Sequence, residues 1–250
     1  IVHPSFPEIN HNLRFLLGHY PGAYEVDRTA GTNPILQNLD NLKQAGTLYG
    51  GIIYLKAPVV MKHLEHKIGE AKMREGLQEY LKKHAFSNAK WDDLIQILDS
   101  KSELDIEKWS NVWVKTAGMP VYLLKKEIDS FQIHQQADSL DQRVWEQKLT
   151  VNQLVKNEVK SATVAIQDTS SIVLKTQGNA YIFPNADGYG YGYFETDSVS
   201  NRYFIDHYNQ KAVKSFADPV FRGVMLLNLW ERFLRSEVIS SRTYLADLLQ

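Results

Sequence analysis

With 250 residues, 44% hydrophobic and 23% charged, the chain lies in the ordinary globular range, and its apolar content suits a real core instead of a disordered segment. A formal net charge of −1 gives no electrostatic footprint for nucleic acid or an anionic membrane, and no apolar run approaches a membrane span. The absence of cysteine excludes disulfides and thiol chemistry and leaves the compartment undecided.

The chain opens on Ile1 and closes in Tyr244-Leu-Ala-Asp-Leu-Leu-Gln250 with no helix stop signal, so it reads as a segment of a longer polypeptide. Residues 1 to about 118 read as mostly helical. Ile9, Leu13, Leu16 and Leu17 make one helix face, with Gly18 and Pro21 as its expected end. A turn-rich connection, Asp27-Arg-Thr-Ala-Gly-Thr-Asn-Pro34, leads to a second helix over Leu48–Ile68, ended by Gly69. Met73, Leu77, Tyr80 and Leu81 form a third stripe, closed by Lys82-Lys83-His84, where cations favour the helix dipole. Trp91, Leu94, Ile95 and Leu98 form a fourth. Ile106, Trp109, Val112 and Trp113 form a fifth, stopped by Gly118 and Pro120. Tryptophans at this spacing read as core and not as a cofactor box.

From Val121 the apolar period becomes two. Phe131 and Ile133 alternate with polar neighbours, as do Thr163-Val-Ala-Ile166, Ser171-Ile-Val-Leu174 and Tyr181-Ile-Phe183, which suggests a small β-sandwich. Tyr189-Gly-Tyr-Gly-Tyr-Phe194 would place Tyr189, Tyr191 and Tyr193 on one strand face and Gly190 and Gly192 on the other. Exposed, that row could stack on a sugar or peptide; glycine opposite aromatics more often marks the close approach of another backbone. Helices return after about Asp197. Asp218-Pro219 marks a strong helix start, and Leu226, Leu229, Trp230 and Phe233 its expected buried face.

The second helix carries the most information. Pro58 has no N–H for the carbonyl of Tyr54, and Gly50 and Gly51 precede the apolar run, so the helix should bend or loosen one turn after that tyrosine, which could aim its phenol out of the packed face. On the residues alone, a tyrosine in an apolar helix reads as core with its hydroxyl satisfied. His63 and His66, with Glu65 between them, tempt a metal reading. One helix offers only two ligands where structural zinc wants four, so a solvated polar face is the expectation. His3, His11 and His19 are scattered through the first helix and its leader and read the same way.

The stretch Tyr54-Leu-Lys56-Ala-Pro-Val-Val-Met-Lys-His-Leu64-Glu65 resembles the Tyr-x-Lys-Gly-Ala-x-Val…Leu-Glu segment of the zinc aminopeptidases of the aminopeptidase N type, the gluzincin peptidases. The likeness runs on through Gly69-Glu70, Gly76-Leu-Gln-Glu-Tyr80-Leu, Ala85-Phe-Ser-Asn-Ala-Lys-Trp-Asp-Asp-Leu94, Trp109-Ser-Asn-Val-Trp113 and Gly118-Met-Pro-Val121. Upstream, Thr32-Asn-Pro34-Ile matches a Thr-His-Pro-Ile stretch; weaker matches follow at Asn185 to Asp197 and at Asp218-Pro-Val-Phe-Arg222.

The resemblance implies a multidomain α+β protein. Residues 1–119 would be the helical C-terminal half of a thermolysin-like catalytic domain, 120–197 a β-sandwich domain, and 198–250 the beginning of a C-terminal α-helical domain. It implies hydrolysis of N-terminal residues from a peptide substrate, with Zn held in the parent protein by H-E-x-x-H and a glutamate on the next helix. It assigns to Tyr54 a catalytic role, its hydroxyl facing the oxyanion of the tetrahedral intermediate.

This chain contains no H-E-x-x-H and no Gly-x-Met-Glu-Asn loop, and Ala57-Pro58 stands where Gly-Ala is usual. The family's zinc motif lies upstream of the matching tyrosine and would precede Ile1. No metal or other cofactor is therefore expected on these residues alone, and the upstream catalytic half is expected as a partner in cis. Neither nucleic acid nor membrane is expected as a partner. Two other readings are a catalytically silent relative kept as a scaffold, and a peptide- or glycan-binding module built on the tyrosine row.

Overall fold

A computed structural model of the chain describes residues 6–39, 41, 43, 46, 50–136, 143–156, 158–168, 172–176, 179–209 and 214–235. It is a mixed α and β structure. The first helix, α1, runs His11–Asp27, entered through Asn10, whose side chain accepts from the Leu13 N–H. Contrary to the expectation from Gly18 and Pro21, it passes both residues without ending. Tertiary packing overrides the lost hydrogen bond: Tyr20, Ala23 and Tyr24, on the turns around and after Pro21, are all buried.

The second helical segment is not uniform. Ile52–Lys56 is a π-turn, with the Ala57 N–H bonded to the carbonyl of Ile52, and it flows into α2, Ala57–Ile68. Leu48, the expected start, lies outside the described residues. Next come α3 (Glu70–Lys83), α4 (Trp91–Ser100) and α5 (Ile106–Trp113), the last capped by Asp105, which accepts from the Lys108 N–H. Their inward faces follow the apolar stripes of the sequence, except that Leu81 stands exposed.

The β region forms two sheets. One takes β1 (Val121–Lys126), β2 (Ser130–Gln135), β5 (Ile172–Lys175) and β7 (Tyr193–Glu195) in the order β5-β2-β1-β7, the β1–β7 pair being parallel. The other takes β3 (Gln147–Val155), β4 (Glu158–Ile166) and β6 (Tyr181–Phe183) in the order β4-β3-β6. Tyr122, Phe131, Ile133 and Phe194 from the first sheet share one apolar core with Leu149, Val151, Val164 and Ile182 from the second. Alternation therefore does what period two requires: one face of each strand is buried against the other sheet.

After the sheets come α6 (Ser198–His207), α7 (Lys214–Ala217) and α8 (Pro219–Arg235). The last starts where Asp218-Pro219 indicated, with the Asp218 carboxylate accepting from the Val220 N–H. Its buried face is only partly the expected one: Leu229 is buried and Phe233 is half-buried against the same core. Leu226 and Trp230 are 38% and 45% exposed, while Phe221, Val224, Met225, Leu227, Leu229 and Glu231 are buried. The helix is apolar nearly all round, so period alone could not choose its face. The choice is made by α1, where Gly223 lets Leu13 and Leu16 approach closely and Arg28 pairs with Glu231. Among the described residues no helix is long and apolar enough to cross a membrane.

The segment expected as a tyrosine-lined strand is strand only from Tyr193 to Glu195. Gly192 sits at φ +135°, and a Cβ there would lie 2.7 Å from the Pro120 carbonyl oxygen. The backbone approach that glycine suggested is thus real at this position. Gly192→Ala should lower stability by about 2–4 kcal/mol, read as a shifted denaturant midpoint; an unmoved midpoint would mean that the two backbones do not meet.

Candidate functional site

Tyr54 is 58% exposed, in the middle of the π-turn. Ile52 and Lys56, two residues to either side, are buried. The widened turn sets positions two apart on nearly opposite sides, so burying Ile52 and Lys56 forces Tyr54 outward. π-turns are rare within helices, and many of them lie at functional sites.

Glycine explains the close packing behind the turn. A Cβ on Gly51 would meet Val26 at 3.0 Å and the Gly22 carbonyl at 3.1 Å, and one on Gly22 would meet Leu55 at 2.4 Å. Gly51 is therefore a contact residue against α1, more than a helix breaker. Pro58 falls in the first turn of α2, where a missing N–H costs little.

The anchor is Lys56, whose side chain is fully buried. Its ammonium lies 2.8 Å from Asp27 Oδ2, another fully buried side chain, and donates to the Gly118 carbonyl. It also lies over the rings of Trp145 and Tyr191, at 5.4 and 5.7 Å from their centroids. Asp27 in turn accepts from the Tyr191 hydroxyl at 2.8 Å and from the Thr32 hydroxyl at 2.6 Å. Thr32 accepts from the Gly118 N–H. Burial pulls the Lys56 ammonium below its usual pKa range while the Asp27 carboxylate pushes back. Both charges have a partner, which is the condition for a buried pair to persist.

Tyr191 is held from its other end. Its N–H donates to the Gln147 amide oxygen at 3.0 Å, and its carbonyl accepts from the Gln147 amide nitrogen. The ring lies against Tyr20, Tyr24 and Trp113 and is fully buried, so burial raises its pKa well above the usual phenol value. The tyrosine row is therefore not an exposed platform. Tyr191 belongs to the helical core, Tyr193 is buried and only Tyr189 is half open, which removes the binding-module reading built on that row. Trp145 and Tyr191 had to cross from the β region into the helical core, and a period-two pattern carries no sign of that.

His63 corrects the expectation of a solvated face, whereas His66 is exposed as expected. His63 is buried, edge-on to Trp113, with Nε2 against the Tyr189 carbonyl, and His66 stacks on the Tyr189 ring at 5.0 Å. Burial pushes the His63 imidazole down to about 4. Among the described residues no group of three or more His, Asp or Glu side chains could hold a metal ion, so these residues do not fit a zinc centre.

The pattern of the peptidase family M1 domain matches residues 1–113. Aminopeptidase N of Streptomyces lividans is 36% identical over 124 residues, covering 47% of this chain and 14% of that protein. Over these residues the chain is similar to the M1 metallopeptidases. Aminopeptidase M1-B of Oryza sativa subsp. japonica is 29% identical over 133 residues, covering 53% of the chain and 15% of that protein. Glutamyl aminopeptidase of Bos taurus is 24% identical over 261 residues, covering 90% of the chain and 27% of that protein. The chain thus spans between 14% and 27% of the length of these aminopeptidases.

Two measurements probe this arrangement. Lys56→Met should cost about 3–5 kcal/mol by leaving the Asp27 carboxylate buried and unpaired, and adding Asp27→Asn should recover a large part of it. A double variant no more stable than the single would mean that the pair is not what couples these segments. For His63 the folded-state pKa lies below the unfolded value near 6.5, so the unfolded chain binds the extra proton as the solution is acidified. Its contribution to stability is full above pH 6.5 and is lost progressively down to about pH 4. Thermal melts from pH 7 to 4 should show that slope in the native chain and a shallower one in His63→Gln; equal slopes would contradict the assignment.

Proposed function

We propose that this chain is the part of a zinc-dependent aminopeptidase that supplies the donor to the oxyanion, and that the donor is Tyr54. The observation that carries the reading is the exposed phenol on a π-turn whose neighbouring residue, Lys56, is locked by a buried ion pair. The relatives are named aminopeptidases, and the same reaction, removal of the N-terminal residue of a peptide, is carried over to the protein of which these residues are part.

Attack on an amide carbonyl builds negative charge on its oxygen, and a neutral donor fixed beforehand stabilises that charge without reorganising as it forms. A phenol suits the task. Its rigid ring has few torsions to freeze once the backbone of the turn is fixed. The zinc that the family uses supplies a Lewis acid and an activated water when bound. On this reading its ligands and the general base come from the upstream catalytic half, in cis. These residues then form the helical C-terminal half of a thermolysin-like catalytic domain, a β-sandwich and the start of a helical domain, inactive on their own.

Tyr54→Phe in the protein that carries both halves should keep zinc content, fold and substrate affinity while turnover falls by about 10²–10³. Turnover within a fewfold of the native value would reject Tyr54 as the donor.

A further inference from the structure

The far end of α2 carries a second feature that this chemistry does not use. A cavity of about 270 Å³ opens beside His63, His66 and Lys67, roughly 13 Å along the helix axis from Tyr54. Its apolar wall is made by Trp109, Leu104 and Ile166, and the half-buried Tyr189 closes one side.

The charges around it are unbalanced. Glu146 accepts from Lys67 at 2.9 Å and from Lys108 at 2.8 Å, so the one carboxylate at the rim is already matched by two ammonium groups. Lys148 lines the same cavity and makes no ion pair among the described residues. Three lysines against one glutamate leave an excess of two positive charges at a partly enclosed apolar site. A cation is disfavoured there, and a purely apolar guest would leave Lys148 unused.

We infer that this cavity binds a small carboxylate carrying one apolar ring, the carboxylate at Lys148 and Lys67 and the ring against Trp109, Leu104 and Ile166. The size sets the class. Pockets for drug-sized ligands run from about 300 to 1,000 Å³, so this one takes a single ring and not two. His63 adds no charge, and its Nε2 is already spent on the Tyr189 carbonyl, so binding draws on the lysines. The same chemistry is offered by a free aryl-alkanoic acid and by the C-terminal residue of a peptide. The site does not depend on the role proposed for Tyr54.

Titration of the full chain with 3-phenylpropionate and with N-acetyl-glycyl-phenylalanine, followed by calorimetry and tryptophan fluorescence, tests both sources. Saturable binding of either acid in the millimolar range or tighter is expected, and which one binds identifies the source. The amide 3-phenylpropanamide should bind about tenfold more weakly than its acid, since it forfeits the charge-assisted bonds. Lys148→Glu, at an exposed position that the fold does not need, should weaken the acid by about tenfold or more while leaving the melting temperature of the free chain unchanged. No saturable binding of either acid, equal affinity of acid and amide, or full affinity in Lys148→Glu would each overturn the inference.

Discussion

A lysine ammonium buried against a carboxylate is the constraint on which this architecture turns. Lys56 and Asp27 come from elements separated by a long turn-rich connection, and each is fully buried. Removing two charges from water is costly, and only close geometry with further hydrogen bonds offsets that cost. The partners are there: the Gly118 carbonyl, the Thr32 hydroxyl and the Tyr191 hydroxyl each satisfy one valence of the pair. Because the pair and its partners lie on five segments, this geometry forms only when α1, the Thr32 turn, the π-turn, the Gly118 loop and the Tyr191 segment have all come together. That makes it a test of correct assembly more than a source of net stability.

For Tyr54 the consequence is mechanical. A π-turn by itself is a loosened piece of helix, and a loosened piece could let its side chains wander. Here its two flanking positions are pinned, Ile52 in apolar packing and Lys56 in the ion pair, while Gly51 and Gly22 allow α1 to press directly on its back. The ring between them has little choice but to project. A donor held in this way satisfies the requirement of preorganisation, that orientation be settled before charge develops.

Much of the helical part could be read from the sequence. The stripes of α4 and α5 and the start of α8 at Pro219 follow from period and caps, while Pro58 and Gly51 flag a disturbance near Tyr54 whose form is set by packing against α1. The failures share one cause. Where a segment is apolar on every side, as α8 is, or where a ring crosses into another layer, as Tyr191 does, only tertiary partners decide its placement. Tyr191 meets Asp27 across 164 positions of sequence, beyond the reach of any local pattern. Lys56 was visible as part of a family motif, but nothing in that motif says that its charge is buried. His63 reads as polar by type and is core by position, because the Tyr189 carbonyl and the Trp113 edge give it partners that a helical wheel does not contain.

The most direct test is a crystal structure of the protein containing the upstream catalytic half, with a phosphinic peptide that mimics the tetrahedral intermediate. The account predicts the Tyr54 hydroxyl about 2.7–3.1 Å from an oxygen of the phosphinate, with Ile52–Lys56 still in a π-turn and Lys56 still on Asp27. A phosphinate oxygen held by some other donor, with the Tyr54 ring turned away, would contradict it.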